Sequence, residues 1–212
     1  MTSVVEIYNK ALANLNESSV INVDEDSEEA TICRIHYDDC RRYVISEGNW
    51  GFCTDVAQLS VLSKDDVTGW DYVYIYPQVA LKVINLFNAD AIKINKFNDY
   101  YSNTHNNYIK DFETQNRGTN TVILSNLENA HAKIIVDVTN NNLMSPAFID
   151  ALTWRLTSLI AVPIIGVDRG RLVQRDAIQA YNSLLNVAWV KNIGENKKRR
   201  DNRSNLVKSR WG

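Results

Sequence analysis

The feature that most constrains this chain is a long apolar helical stretch at residues 145–163. Ser145 offers a side-chain oxygen to a free first-turn amide, and Pro146 follows at the first helical position, where its missing N–H costs nothing. Ile149 and Trp154 widen the apolar stripe, which predicts a helix covered on more than one side. The stripe itself recurs at helical spacing: Phe148, Leu152, Leu156, Leu159 and Ile160.

Three more helices are predicted from the same periodicity. The first carries a one-sided stripe from Val4 to Leu15. The second covers residues 28–47, with Cys33, Tyr37, Cys40 and Val44 on the buried face and Arg34, Asp38, Arg41 and Arg42 on the wet side. The last follows Gly166, is expected to be capped by Asp168, and is expected to carry these apolar residues: Leu172, Ile178, Tyr181, Leu185 and Ala188.

Between the second and third helices the pattern changes to alternating, β-branched and aromatic residues, which is typical of strands. Strands are predicted at 56–62, 72–76, 121–124 and 132–138, with a loop at 64–69. Periodicity leaves residues 79–87 open between a helix and a strand. The Asn- and Tyr-rich residues 88–118 are expected to be an exposed loop or, through their tyrosines, a contact surface. They contain one weak strand candidate at 108–112.

These predictions give an α+β fold with a four-helix bundle-like core, a β-rich insertion between helices 2 and 3, and an extended C-terminal tail. Residues 1–53 and 143–194 are expected to form the α-helical domain. Residues 54–142 form the β-rich insertion domain, and residues 195–212 form a flexible basic tail that is too polar to pack alone.

Charge is distributed unevenly along the 212 residues. The net charge is −2, yet the last 22 residues carry eight basic and two acidic side chains, so the rest of the chain is strongly acidic. The tail ends in Trp211 and Gly212, and a terminal Trp after such a linker suggests an anchor that orders on binding.

Sequence offers little support for a metal site. The acidic run at 24–29 lacks the glycine and spaced oxygen ligands of a calcium loop, and it fits a helix start capped by Asp26 or Ser27. Cys33, His36 and Cys40 share a helix face, but zinc takes four ligands and no second cluster accompanies them. We therefore expect two small core residues and a partly exposed histidine, with no metal and no cofactor.

Catalytic and membrane roles are not expected either. We find no serine or cysteine with a motif-placed histidine and no glycine-rich phosphate loop, so we expect no enzyme. Three cysteines fit a reducing compartment. No signal peptide is visible, and the longest apolar run, 156–167, is shorter than a membrane span.

Four blocks, in this order, resemble the podoviral head-to-tail adaptor family, also called tail tubular protein A. Residues 6–15 resemble its opening helix. Residues 29–33 with Tyr37, Arg41 and the aromatic turn 50–52 resemble its second helix and the turn after it. Residues 70–77 and 81–83 resemble its characteristic strand, and residues 148–156, with the helix that follows them, resemble its C-terminal helix pair.

The resemblance implies a virion structural protein in the neck of the particle, made and assembled in the host cytoplasm. Family members form a homo-oligomeric ring, usually of twelve subunits, that joins the portal protein to the tail nozzle protein. Double-stranded DNA passes through the lumen without specific binding. The helical part builds the ring, the β-rich insertion contacts the nozzle side, and the C-terminal segment reaches the portal.

Two groups of residues are the candidate contacts under this interpretation. Arg155, Arg169, Arg171 and Arg175 are expected at the inter-subunit contact. The last three lie at the unfavourable end of the helix dipole, so their expected partners are anionic groups of a neighbouring subunit or of the acidic body of the chain. Exposed, unpaired side chains are the simpler interpretation. The expected portal-binding residues lie in the C-terminal tail: Lys197, Lys198, Arg199, Arg200, Arg203, Leu206, Val207, Arg210 and Trp211.

The basic cluster of this tail also supports an alternative function, that of a nucleic-acid-binding module.

Overall fold

The computed structural model describes residues 2–48, 50–64, 66–88 and 109–195, with side chains for all of these except 109–110 and 188–195. The chain is 47% helical and 25% strand, with four helices and two antiparallel sheets over the described residues. The predicted α+β class is therefore confirmed.

Local capping explains where three of the helices begin. Ser3, Ser27 and Ser145 each accept a hydrogen bond from the backbone N–H three residues later, which satisfies one free first-turn amide. The predicted cap at Asp168 is wrong. The last helix begins directly after Gly166, so Asp168 lies inside its first turn, where the helix dipole favours a carboxylate. The helices are α1 (Val4–Ala13), α2 (Glu28–Ser46), α3 (Pro146–Ile165) and α4 (Val167–Glu195).

Eight strands lie between α2 and α3 in the described residues, and they form two four-stranded sheets. The first sheet has the order β1-β8-β4-β5 and the second β2-β3-β7-β6. In the second sheet Tyr74 pairs with Ile123 at the centre. The strands are β1 (Thr54–Gln58), β2 (Val61–Lys64), β3 (Tyr72–Ile75), β4 (Ala80–Asn88), β5 (Ile109–Lys110), β6 (Glu113–Arg117), β7 (Asn120–Ser125) and β8 (Ala130–Val136).

The predicted single strand at 56–62 is wrong, because the chain changes partner strands between two adjacent residues. Leu59 N–H donates to Ala130 O at 3.0 Å, whereas Ser60 O accepts from Ile75 N–H at 2.9 Å. Ala130 opens β8 of the first sheet, and Ile75 ends β3 of the second. Hydrophobic alternation does not reveal such a change, since both strands keep the same period.

Two other strand predictions are settled by backbone pairing. Residues 79–87, left open above, form strand β4 over Ala80–Asn88. The prediction of a loop across 88–118 is wrong at β6, whose residues are all polar. Because β6 is an edge strand held by backbone bonds to β7, it needs no apolar face and leaves no hydrophobic signal.

The described chain divides into two compact units. The first unit comprises residues up to Val56, Pro77–Ile84 and Lys133–Asn192, and the second comprises the described residues of Ala57–Tyr76 and Asn85–Ala132. The second unit has a small core of Val73, Val122 and Leu124 with Trp70 beside it.

Helix α3 is the centre of the first unit. Thr157 Oγ1 lies 3.0 Å from Asn14 Nδ2, which donates to it from just beyond α1, and Cys40 Sγ donates to Leu152 O at 3.9 Å from α2. Most of the predicted stripe is buried, but Leu159 and Trp154 are only partly so. The length and apolar composition of α3 would also suit a membrane span, yet a buried core helix passes the same test.

The aromatic turn after α2 packs onto α3. Trp50 is buried, its Nε1–H donates to Val44 O at 3.1 Å, and its ring centroid lies 5.2 Å from that of Phe148. Phe52 lies 4.9 Å from the same ring in an edge-to-face arrangement. This cluster joins the end of α2 to the start of α3.

Helix α4 approaches α3 closely at Gly170. A Cβ placed there would lie 2.7 Å from Val162 Cα and 2.8 Å from Ala161 O, so only glycine allows this approach. Tyr181 and Leu185 are buried as predicted, but Leu172 and Ile178 are exposed, contrary to prediction. The apolar stripe of α4 is wider than the surface that α3 covers.

Arg41 was expected on the wet side of α2 but is buried. Its Nη2 donates to Asp137 Oδ2 at 3.0 Å, and its Nη1 lies 3.4 Å from Asp38. Arg42 Nε donates to the same Asp137 oxygen at 3.0 Å. A buried guanidinium needs an anionic partner, and that partner comes from a segment about a hundred residues later in the sequence.

Candidate assembly surfaces

One outward face of α4 combines basic and apolar side chains. Arg171, Leu172 and Ile178 each lie three or four residues from Arg175, so their side chains surround that of Arg175 on the helix surface. Leu172 is 57% exposed and Ile178 is 38% exposed. We call these four residues the α4 face.

The positive charge of the α4 face is largely uncompensated. Arg175 Nε lies 3.5 Å from Asp176, but both side chains are mostly exposed, so this pair is worth little. Within the described part of the chain, no carboxylate lies within ion-pair distance of Arg169 or Arg171. Arg169 is exposed as well, but it precedes Arg171 by two residues and so points to another side of the helix.

A second outward face lies on α2 and is net acidic. Arg42 lies on the same side of the helix, but its guanidinium is already paired with Asp137. Glu28, Ile35 and Asp39 follow one another at seven- and four-residue spacing, with Asp38 beside them. Ile35 is 64% exposed, which is high for a large apolar side chain on a helix. Neither Glu28 nor Asp39 has a salt-bridge partner among the described residues. We call these four residues the α2 face.

The two faces lie at different levels of the first unit. Gly170, one residue before the α4 face, lies against Val162 in the last turn of α3. Tyr37, just before Asp38, donates its hydroxyl proton to Asn141, which precedes α3, at 3.2 Å. Within the described residues, no ion pair joins the two faces.

Arg155 joins three helices of the same chain. Its guanidinium lies 4.8 Å from the ring centroid of Tyr43 on α2 and 5.9 Å from that of Tyr181 on α4. Burial raises the pKa of Tyr181, so its hydroxyl stays neutral. Neither the Arg155 Nε nor the Tyr181 hydroxyl finds a hydrogen-bond partner within the described residues. The inter-subunit role of Arg155 stays a prediction, and its side chain already contacts its own chain.

Cys33, His36 and Cys40, which share one face of α2, are not part of any group of potential metal ligands in the described residues. Cys33 and Cys40 are buried among apolar side chains, and the described residues contain no group of three or more potential metal ligands. Burial raises the pKa of the Cys33, Cys40 and Cys53 thiols to about 12 in each case. These thiols are therefore protonated and unreactive at neutral pH.

The second unit also exposes apolar side chains. Val61 and Leu62 on β2 and Ile75 on the neighbouring β3 are each about half exposed. The tail residues predicted to bind the portal, Lys197 to Trp211, lie outside the described residues.

The comparisons with known proteins give no family assignment. No protein-family model matches the chain, and no curated protein matches it.

Proposed function

We propose that this protein is a head-to-tail adaptor of a tailed virus, which forms a ring between the portal and the tail nozzle and surrounds the DNA exit channel. The proposal rests on the order of the elements. Helices from both ends of the chain pack on α3 as one unit, and all eight described strands are inserted between α2 and α3. This is the arrangement that the resemblance implies.

Contacts between the resembling blocks support the proposal. Trp50 and Phe52 of the second block pack against Phe148 of the fourth. Ala11 O, in the first block, lies 3.5 Å from the hydroxyl of Thr157, one residue after the fourth block. We propose that α1 to α4 together are the bundle-like core of a ring subunit.

The charge distribution suits a DNA channel. Apart from its basic tail the chain is strongly acidic, and an acidic lumen repels phosphates, which favours passage of DNA over binding. The basic tail, with Trp211 near its end, then reaches the portal and orders there.

The direct test is assembly. We expect the purified protein, mixed with the portal protein encoded with it, to form a closed ring of many copies, seen by negative-stain electron microscopy and weighed by mass photometry. Persistent monomer in the presence of that portal would refute the proposal.

Removal of residues 196–212 tests the tail separately. The truncated chain should keep its circular dichroism spectrum and lose portal docking. Docking equal to that of the full chain would exclude a role for the tail. If the tail instead serves a nucleic-acid-binding module, the full-length monomer will bind DNA with a steep dependence on salt.

A further inference from the structure

We infer that the subunits meet through two unlike surfaces, the α4 face of one copy docking on the α2 face of the next. This inference rests on the proposed ring. It names the contact that builds the ring, whereas the proposed function requires only that some contact exists.

The two faces complement each other in charge, and both carry exposed apolar side chains. The α4 face presents Leu172 and Ile178 flanked by Arg171 and Arg175, and the α2 face presents Ile35 flanked by three carboxylates. Docking would cover all three exposed apolar side chains and bring opposite charges together at the rim, which sets the register and speeds association. A surface of the same chain thus supplies what each face lacks.

Two unlike faces on one chain favour a head-to-tail contact. A chain with two different complementary faces associates head to tail, and such contacts close into a ring when the rotation per subunit permits. Pairing of two α4 faces would oppose arginines, and pairing of two α2 faces would oppose carboxylates. A two-fold symmetric dimer is therefore disfavoured on either face, and the partner of each face is the other face of a second copy.

Charge reversal tests the contact, because each variant alone should lose it and a mixture of two complementary variants should regain it. Variant A carries Arg171→Glu and Arg175→Glu, and variant B carries Glu28→Lys and Asp39→Lys. In variant A both faces are acidic, and in variant B both are basic. The affinity of self-association of each variant alone should therefore fall by about tenfold or more. A mixture of A and B should assemble again as an alternating ring, because every contact then joins opposite charges.

Two controls separate this effect from net charge and from folding. Lys10→Glu with Lys82→Glu changes the net charge as variant A does, at exposed positions off both faces, and should assemble like the wild type. Circular dichroism and the urea midpoint establish that A and B are folded. Assembly is measured by sedimentation velocity and mass photometry, with and without the portal protein.

Cysteine cross-linking supplies a second readout. The native thiols are buried, so an introduced surface cysteine is the reactive one. A Leu172→Cys chain mixed with an Ile35→Cys chain should form a disulfide-linked heterodimer under mild oxidation. Each variant alone should cross-link at least several-fold less.

The outcomes distinguish the contact from the function. Two results would overturn the contact and leave the adaptor proposal standing. In the first, the wild type forms rings and variants A and B each assemble as well as it does. In the second, Leu172→Cys chains cross-link mainly to one another. A wild-type chain that stays monomeric even with the portal would overturn both.

Discussion

Substitution of Gly170 by alanine tests how closely α4 approaches α3. On an open helix surface this change is favourable by about 1 kcal/mol, because alanine loses less backbone entropy than glycine. At Gly170 the added Cβ would lie 2.7 Å from Val162 Cα and 2.8 Å from Ala161 O. Both neighbours are backbone atoms and cannot rotate away, so α4 must move away from α3.

The expected net effect is a loss of stability. Overpacking of this kind costs about 1–3 kcal/mol, which exceeds the propensity gain, so we expect a net loss of ~1–2 kcal/mol. With a urea dependence of ~2 kcal/mol per M, the midpoint should fall by ~0.5–1 M. The matched control is Asn182→Ala on the exposed side of the same helix, which should leave the midpoint within ~0.3 M.

Urea titration followed by circular dichroism at 222 nm measures both variants. The difference between them is meaningful only if the slope of the transition is unchanged, since a changed slope indicates a different unfolded or intermediate state. A Gly170→Ala protein as stable as the wild type, or more stable, would show that the two helices are farther apart than the described contact.

Three further predictions concern other parts of the fold. Trp50→Ala should lower the free energy of unfolding by ~3–5 kcal/mol in a urea titration, because the ring is fully buried. Trp154→Ala should lower it by about half as much, because that ring is only partly buried. Equal losses would contradict this difference in burial. Hydrogen bonds from the Arg117 guanidinium and, to a smaller extent, from the Thr68 hydroxyl hold the pKa of Asp66 well below its usual range. The stability that this pair contributes is therefore complete above the unfolded pKa of about 3.9 and is lost as the pH falls toward the depressed folded value. The advantage of the wild type over Asp66→Asn should accordingly shrink in urea titrations below pH 4, and an advantage constant with pH would contradict this assignment. Finally, the three cysteines should react with a thiol reagent at pH 8 only after denaturation, and rapid reaction of the native protein would place at least one of them at the surface.

Most of the helices, and the residues at which they begin, could be predicted from the amino-acid sequence. Ser27 and Ser145 lie where a side-chain oxygen must satisfy a first-turn amide, and the stripe from Phe148 to Ile160 is buried apart from Leu159. Helix capping and the 3.6-residue period are local physics, so a short window of sequence contains the information. The strands at 72–76 and 121–124 were predictable for the same reason, because their β-branched and aromatic residues alternate.

Features that depend on a partner far along the chain could not be predicted from local sequence. Arg41 was predicted to be solvated on α2, but it is buried. The carboxylate of Asp137, from far along the chain, pairs with it and compensates the cost of burying its charge. Strand β6 is polar and is held in place by its pairing with β7. Leu172 and Ile178 are apolar like core residues, but they face outward because α3 covers the opposite side of α4. The proposed pairing of the α4 and α2 faces likewise depends on where the fold places these side chains. Burial, edge pairing and surface complementarity depend on which segments meet, and periodicity along one segment does not contain that information.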